Sequence, residues 1–233
     1  MPNDLLTQLT HDARLWQAGQ WRDYQCAAIA TEYPALDALL AGQGWPLGGL
    51  TELLCDTPGI GELRLLMPAL ARLSQQPRWQ LWITPPFVPF APALQAHGIQ
   101  LDRVLIIHAR QTKAQLWTAE QALRSGCLVL CWPGRLNTAE LRRLQLAAKA
   151  GDSCGFLFRS SRAAQEHSPA VLRIKLQPHR DGLHLQLLKR RGGWPVDALI
   201  PLHALASTGH PSTLPQASVI QGPWPPPAVS PTH

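Results

Sequence analysis

The stretch from Pro34 to Arg64 restricts the fold of this chain most. It reads PALDALLAGQGWPLGGLTELLCDTPGIGELR, and it holds an apolar strand over Leu50 to Cys55 between two glycine-containing turns. A helix is predicted to begin at Glu62, directly after the second turn. This order of strand, loop and helix is typical of the segment that binds a phosphate group in α/β proteins.

The loop itself has the shape of a phosphate-binding loop but not its chemistry. A nucleotide loop follows G-x-x-x-x-G-K-[ST], whose lysine contacts the phosphates and whose hydroxyl binds magnesium. Here Asp56 stands at the first glycine, Glu62 at the lysine and Leu63 at the hydroxyl, while Gly59 and Gly61 are kept. A carboxylate near a phosphate costs roughly 4 kcal/mol at an effective dielectric constant of 20. These replacements predict a protein with no catalytic residue, metal or cofactor. The alternative is that the Gly59 and Gly61 amides bind an anion without magnesium.

The rest of the chain alternates helices with short apolar strands. Strands are predicted over 79–84, 104–107, 127–131 and 154–158, and helices over 62–73, 91–97, 111–124 and 139–150, the last capped by Asn137 and Thr138. Apolar strands separated by helices indicate a parallel sheet covered on both faces. Residues 171–176 and 183–188 alternate with period two around a Pro-His-Arg-Asp-Gly turn, which predicts an antiparallel hairpin. The expected fold is a mostly parallel, doubly wound α/β sheet with an antiparallel hairpin at one end.

Three regions are predicted along the chain. Residues 1–20 form an N-terminal helix, residues 25–205 form the core domain, and residues 207–233, with seven prolines, form an extended or disordered tail. The side chains expected to contact a partner lie outside the core, on the apolar stripe of the helix and in the tail: Leu9, Trp16, Trp224 and Pro225. A helix that folds back onto the core, and a tail without function, are the alternatives.

Charge and cysteine content narrow the classes of partner and compartment. Residues 142–191 hold eleven lysines and arginines against three acidic residues, which favours nucleic acid or an acidic protein surface as a partner, or else a solvated basic face. The five scattered cysteines show no zinc spacing, and no apolar run has the length of a membrane span. These features predict a cytoplasmic protein without disulfides.

The sequence resembles the core domain of the RecA family. The residues that carry this resemblance are Leu36, Asp37, Leu39, Leu40, Gly42, Gly44, Pro46, Gly48 and Glu52. It implies a RecA-like fold from there to about Leu202, with DNA-binding loops after the fourth and fifth strands. The acidic residue that activates water in that family would fall at 84–86, which reads Thr-Pro-Pro, and the metal-binding aspartate at Cys131 or Trp132. The resemblance therefore implies that ATP turnover is lost.

Among relatives without ATPase activity, the chain most resembles the ImuA family. The segments WPLGGLTELL, GIGE and LWITPP, which begin at Trp45, Gly59 and Leu81, carry the resemblance. It implies an accessory protein of damage-inducible (SOS) translesion DNA synthesis that binds an ImuB-like polymerase subunit and an error-prone DNA polymerase, with RecA and weak DNA binding as further candidates. The candidate DNA or RecA contacts are Arg159, Arg162, Lys189, Arg190 and Arg191. One alternative is an inhibitor of the related SulA type, which blocks the tubulin-like division protein FtsZ; a second is a residual nucleotide-binding protein.

Overall fold

A computed structural model describes residues 27–202 of this chain. The predicted N-terminal helix over residues 1–20 and the proline-rich tail over residues 207–233 lie outside the described residues. The same holds for their candidate partner contacts Leu9, Trp16, Trp224 and Pro225. Within the described part, no helix is both long enough and apolar enough to pass through a bilayer.

Ten strands and five α-helices make up the described residues. The strands are β1 (Ala28–Ile29), β2 (Trp45–Pro46), β3 (Gly49–Leu54), β4 (Gln80–Ile83), β5 (Val104–Ile107), β6 (Leu128–Cys131), β7 (Cys154–Arg159), β8 (Leu172–His179), β9 (Gly182–Lys189) and β10 (Val196–Ile200). The helices are α1 (Pro34–Asp37), α2 (Glu62–Ser74), α3 (Ala91–Ala96), α4 (Thr112–Arg124) and α5 (Thr138–Ala150), and two 3₁₀ helices cover Leu101–Arg103 and Ser161–Gln165.

The main sheet has eight strands in the order β10-β9-β8-β3-β7-β6-β4-β5. All pairs from β8 through β3 to β5 are parallel, whereas β8, β9 and β10 pair antiparallel. The predicted mostly parallel α/β sheet with an antiparallel end is therefore confirmed.

Helices cover both faces of the sheet because the apolar side chains of each strand alternate between the two faces. Leu53, Phe156 and Phe158 pack with α2 in one core. Leu50 and Leu157 pack with α4 and α5 in the other. A buried residue on either face of β3 and β7 therefore meets a helix, and this explains why these strands are apolar almost throughout.

The boundaries of the predicted helices agree with the structure to within one residue. For α5 the reason is a capping box, in which the Asn137 side chain accepts from the Glu140 amide and the Glu140 carboxylate accepts from the Asn137 amide. This reciprocal pair satisfies two amide donors that the first turn leaves without helical partners.

The hairpin is longer than the sequence predicts. Its two strands are joined by the two residues Arg180 and Asp181, and Pro178 lies inside β8 instead of in the turn. The parallel pairing of β8 with β3 ends at Lys175. Beyond that residue one side of β8 has no strand neighbour in the described part of the chain, and a proline there removes no sheet hydrogen bond.

Two small elements of the fold were not predicted from the sequence. β1 and β2 form a short antiparallel ribbon, in which a Cβ at Gly44 would stand 2.2 Å from the Ile29 carbonyl oxygen. Only glycine allows that close approach. The last strand, β10, extends the antiparallel end of the sheet.

The expectation that all parallel strands are covered on both faces was wrong for β5. Among residues 27–202 this strand is the last in the sheet and pairs only with β4, and its Leu105 and Ile106 side chains are exposed to 44% and 41%. The sequence of an apolar edge strand looks the same as that of a central one, so periodicity could not separate the two cases.

Candidate functional site

The carboxyl ends of β3 and β7 bring the loop at residues 56–62 next to the segment that follows Arg159. Ligands of open α/β sheets bind at this edge, so it is the natural place to look for a functional site. Four polar features meet there: the loop, the Asp56 carboxylate, a buried ion cluster and an open groove.

The Glu62 side chain folds back into the loop and binds its amides. Its Oε1 accepts from the Gly59 amide at 2.7 Å and its Oε2 from the Gly61 amide at 3.1 Å. The carboxylate thus lies at the N-terminus of α2, where the helix dipole and free amides favour a negative charge. Glu62 is 4% exposed. The loop supplies its own anion, and the amides suggested for an external anion are already bonded.

Gly61 is further enclosed by the C-terminal end of the described chain. Its φ of 112° lies in the left-handed region that favours glycine. A Cβ at this position would stand 2.4 Å from a Leu202 methyl group. The loop is thus covered on one side by Leu202, and Leu63, at the position of the hydroxyl in a nucleotide loop, packs against the apolar core.

Asp56 is turned away from the loop amides. Its carboxylate accepts from the Ser160 hydroxyl at 2.9 Å, the Ser161 amide at 3.0 Å and the Ser161 hydroxyl at 2.5 Å. The Ser161 hydroxyl, followed by the Ser160 hydroxyl and the Ser161 amide, lowers the pKa of Asp56. Asp56 therefore joins the ends of β3 and β7 and does not bind the loop amides.

A buried ion cluster connects three neighbouring strands beside this loop. Glu52, on β3, is fully buried and binds Arg159 of β7 at 2.7 Å and Arg173 of β8 at 2.5 Å. Arg159 also binds Glu166 at 2.7 Å. Arg173 donates to the carbonyl oxygens of Glu166 and Ala163. Two arginines and two glutamates give the cluster no net charge, and the charged groups are hydrogen-bonded as burial requires.

The five predicted DNA or RecA contacts do not form one exposed surface. Arg159 is 6% exposed and belongs to the ion cluster, so its assignment as a contact for a large partner is corrected. Lys189 pairs across the hairpin with Arg173 and donates to the Ser168 carbonyl oxygen at 2.9 Å. Arg190 donates to the carbonyl oxygens of Leu39 and Trp194. Arg162 and Arg191 are exposed. For the four predicted contacts other than Arg159, a role in binding DNA or RecA stays a prediction.

The positions where an ATPase would carry its acidic residues have other roles. Thr84 has a φ of 52°, and its amide donates to the Ile107 carbonyl oxygen at 2.8 Å. Trp132 stacks on Phe158 with ring centroids 4.3 Å apart. Burial raises the pKa of the Cys131 thiol to about 12, so this side chain is neutral. Among residues 27–202, no three or more His, Cys, Asp or Glu side chains are grouped so that they could hold a metal ion.

Two surface features were missed by sequence reasoning. The groove beside the loop has a volume of about 510 Å³ and is lined by Asp56, Thr57, Ile60, Ser161, Lys175, Leu176, Gln177, Pro178, His179 and His184. The turn after β4 exposes Phe87, Val88 and Phe90 to 68%, 82% and 70%; we call these three residues the loop patch. Its signal in the sequence was the run PPFVPF, whose prolines exclude a helix or a central strand.

Comparison with known proteins decides the family. Residues 49–155, from β3 into β7, match the sequence profile described as "Cell division inhibitor SulA". SulA of Klebsiella pneumoniae is 37% identical over 146 residues, which are 60% of this chain and 83% of that relative. SulA of Pectobacterium carotovorum is 32% identical over 56% of this chain and 76% of that relative. This chain belongs to the SulA family.

Two further proteins that are similar to this chain are also named SulA. SulA of Edwardsiella piscicida is 42% identical over 95 residues, which are 40% of this chain and 56% of that relative. The crystal structure of SulA from Pseudomonas aeruginosa is 30% identical and superposes with a TM-score of 0.40, over 47% of this chain and 97% of that chain.

The family match corrects the function expected from the ImuA resemblance. That resemblance predicted a translesion-synthesis accessory protein with an ImuB-like subunit and an error-prone polymerase as partners, and this prediction was wrong. The matching profile and relatives are named as cell division inhibitors. The segments WPLGGLTELL and LWITPP, quoted for ImuA, form β2 with β3 and β4. They carry the core of a fold that the two families were expected to share, so they could not separate one family from the other.

The ion cluster generates a stability prediction with a built-in control. Removing the carboxylate in Glu52→Ala leaves two buried arginines without their shared partner, so we expect a loss of about 3–5 kcal/mol in the free energy of unfolding. Glu120→Ala also removes a glutamate that joins two arginines, Arg124 and Arg143, but these are exposed to 57% and 64%. Its expected cost is about 1 kcal/mol or less. Urea unfolding of both variants measures the difference, and equal losses would contradict the structural role of the buried cluster.

The hydrogen bonds to Asp56 predict a shift in its titration. Because its pKa is lowered in the folded protein, its stabilising contribution is present above about pH 4 and is lost as the pH falls through the folded pKa. Ser161→Ala removes the strongest of these bonds and should raise the pKa of Asp56 toward that of a free aspartate. Carbon-detected NMR titration of the Asp56 carboxyl group in the intact protein and in the variant measures this shift, and an unchanged value would refute the assignment.

Proposed function

We propose that this protein is a non-catalytic inhibitor of cell division that acts by binding the tubulin-like division protein FtsZ. The observation that carries the proposal is the family match over residues 49–155, which covers β3 to β6 and the loop closed by Glu62. FtsZ as the partner is what the resemblance to SulA-type inhibitors implies. An inhibitor of this kind needs a binding surface and no chemistry.

The occupied loop supports the non-catalytic part of the proposal. Glu62 already fills the amides of Gly59 and Gly61, and Leu63 packs into the core where a magnesium-binding hydroxyl would stand. We further propose that the loop is the remnant of a RecA-type phosphate loop whose glycines now only shape the turn.

The loop patch is the surface that we assign to the partner. Three large apolar side chains that are exposed side by side are costly in water unless another protein covers them. Aromatic residues also supply most of the binding energy of many interfaces. The loop patch lies inside the matched residues 49–155. By contrast, the exposed Trp194 lies outside them, so it provides a natural control.

Nucleotide binding tests the non-catalytic assignment. We expect no binding of labelled ATP with magnesium by the intact protein at micromolar concentrations, because Glu62 repels the phosphates and occupies their amides. Glu62→Ala frees the amides but restores neither the lysine nor the hydroxyl, so ATP hydrolysis should stay absent in both proteins. Equilibrium binding and phosphate release measure the two quantities. Micromolar binding by the intact protein would refute the assignment.

Expression in a bacterial host tests the function itself. The intact chain should arrest division, so that cells grow as filaments, and should bind purified FtsZ. The double variant Phe87→Ser, Phe90→Ser should weaken FtsZ binding about tenfold or more, because it removes two aromatic anchors. Trp194→Ser, which removes an aromatic side chain that is 83% exposed, should leave both activities unchanged.

Two outcomes of that experiment would contradict the proposal. Intact protein that neither binds FtsZ nor lengthens cells would exclude the function. If the double variant is as active as the intact protein, and circular dichroism shows that both are folded, then FtsZ binds a surface other than the loop patch. The proposed function would still hold in that case.

A further inference from the structure

Thr84 has a backbone conformation that its residue type and its neighbour disfavour. Its φ of 52° lies in the left-handed region, and among residues 27–202 it is the only β-branched residue with a positive φ. A β-branched side chain rarely adopts this region. The residue before a proline is normally restricted to an extended conformation, and Pro85 follows Thr84. A strained backbone of this kind persists only where its surroundings hold it, and such residues cluster at functional sites.

Hydrogen bonds to the segment at the end of β5 hold Thr84 in this conformation. Its amide donates to the Ile107 carbonyl oxygen at 2.8 Å. Its hydroxyl donates to the Ala109 carbonyl oxygen and accepts from the Ala109 amide, each at 3.3 Å. The Gln115 side chain of α4 donates to the same Ala109 carbonyl oxygen at 2.8 Å. The end of β4 is therefore bonded to the segment after β5 and, through it, to α4.

The loop patch follows Thr84 directly and has few other attachments. Within residues 27–202, no backbone hydrogen bond involves residues 85–89. At the far end, the Phe90 carbonyl oxygen accepts from two amides of α3. Three of the residues 85–89 are prolines, and each proline fixes its own φ. The direction in which the chain leaves Thr84 is therefore carried into the patch.

We propose that Thr84 is a positioning residue, whose hydroxyl and left-handed backbone hold Phe87, Val88 and Phe90 in the orientation that binds the partner. The inference rests on the proposed function, because the loop patch is the surface assigned there to FtsZ. Thr84 acts through these three side chains and does not itself touch the partner. A patch whose orientation is set before binding loses less conformational freedom on association.

Two substitutions separate the hydroxyl of Thr84 from the rest of its side chain. Thr84→Val keeps the branched shape but can form neither bond with Ala109, whereas Thr84→Ser keeps the hydroxyl. Should Thr84→Val not fold, Thr84→Gly takes its place, because it removes the same hydroxyl and tolerates a positive φ.

Thr31→Val is the matched control. The Thr31 hydroxyl also bonds to both backbone groups of one residue, since it donates to the Tyr33 carbonyl oxygen at 3.3 Å and accepts from the Tyr33 amide at 3.1 Å. It is buried. Thr31 lies before α1 and outside the matched residues 49–155.

Fluorine NMR tests the positioning in the absence of the partner. The full chain, labelled with 4-fluorophenylalanine, has four phenylalanines, of which two are in the loop patch and two, Phe156 and Phe158, are in the core. The double variant of the loop patch, which lacks both patch phenylalanines, identifies their resonances. Thr84→Val should shift or broaden the two patch resonances and leave the core resonances unchanged. Thr84→Ser and Thr31→Val should leave the patch resonances unchanged.

Binding of purified FtsZ by the full chain tests the consequence of the positioning. We expect Thr84→Val to raise the dissociation constant about tenfold, since the patch then has the binding orientation for about a tenth of the time. Thr84→Ser and Thr31→Val should leave it unchanged. When Thr84→Val is added to Phe87→Ser, Phe90→Ser, the constant should rise no more than about twofold further, because residues that act through the same contact are not additive.

Three results would overturn the proposal. If the patch resonances of Thr84→Val equal those of the intact protein, the hydroxyl does not position the patch. If Thr84→Val and Thr31→Val weaken FtsZ binding equally, the effect is one of general stability. If the tenfold loss persists when the patch phenylalanines are absent, Thr84 acts by another route.

Failure of the proposed function would look different. It would appear as an intact protein that does not bind FtsZ, whereas the fluorine spectra would still decide whether Thr84 positions the loop patch.

Discussion

The bridge from Glu52 to Arg159 and Arg173 is the interaction on which the carboxyl edge of the parallel strands depends. These residues stand on β3, β7 and β8, which are adjacent in the sheet although more than a hundred residues separate Glu52 from Arg159 in the chain. A buried carboxylate with two arginines fixes the position of all three strands, because moving any one of them would leave a charge without its partner in a medium of low dielectric constant. Glu166 ties the segment after β7 to the same group through Arg159, and the Ser168 carbonyl oxygen accepts from Lys189 of β9.

The ion cluster and the Glu62 loop both satisfy polar groups at the carboxyl edge of the parallel strands. Free amides and helix N-termini lie at such an edge and favour a negative charge. A bound ligand commonly supplies that charge. Here the chain supplies the charge itself, with Glu62 on the loop amides and Asp56 on the serines after β7. The loop amides are therefore satisfied within the chain, while the loop patch and the Leu105 and Ile106 side chains of β5 are exposed apolar surfaces of the described residues.

The order of helices and strands could be predicted from periodicity because each helix and each central strand buries a regular set of apolar residues. Val104 to Ile107 was predicted with the observed bounds, and α5 nearly so, because Asn137 and Glu140 form a local capping box. The ribbon of β1 with β2 and the strand β10 were not predicted, since they are short and obtain their hydrogen bonds from distant segments. The ImuA assignment failed for a related reason: the motifs that supported it carry core positions, which are similar in families that share a fold.

The sequence by itself determined that the loop has Glu62 in place of a lysine, that the sheet is mostly parallel, and that the excess of positive charge lies in residues 142–191. These properties follow from residue type and local spacing. Only the tertiary structure decided where each charge lies. Arg159 was predicted to be a contact because it begins the segment that corresponds to a DNA-binding loop of the RecA family, yet the pairing of β7 with β3 places it against Glu52. In the same way, Glu62 appeared to be a lost lysine, and folding made it the anion of its own loop, because its carboxylate reaches two amides that no neighbouring group occupies.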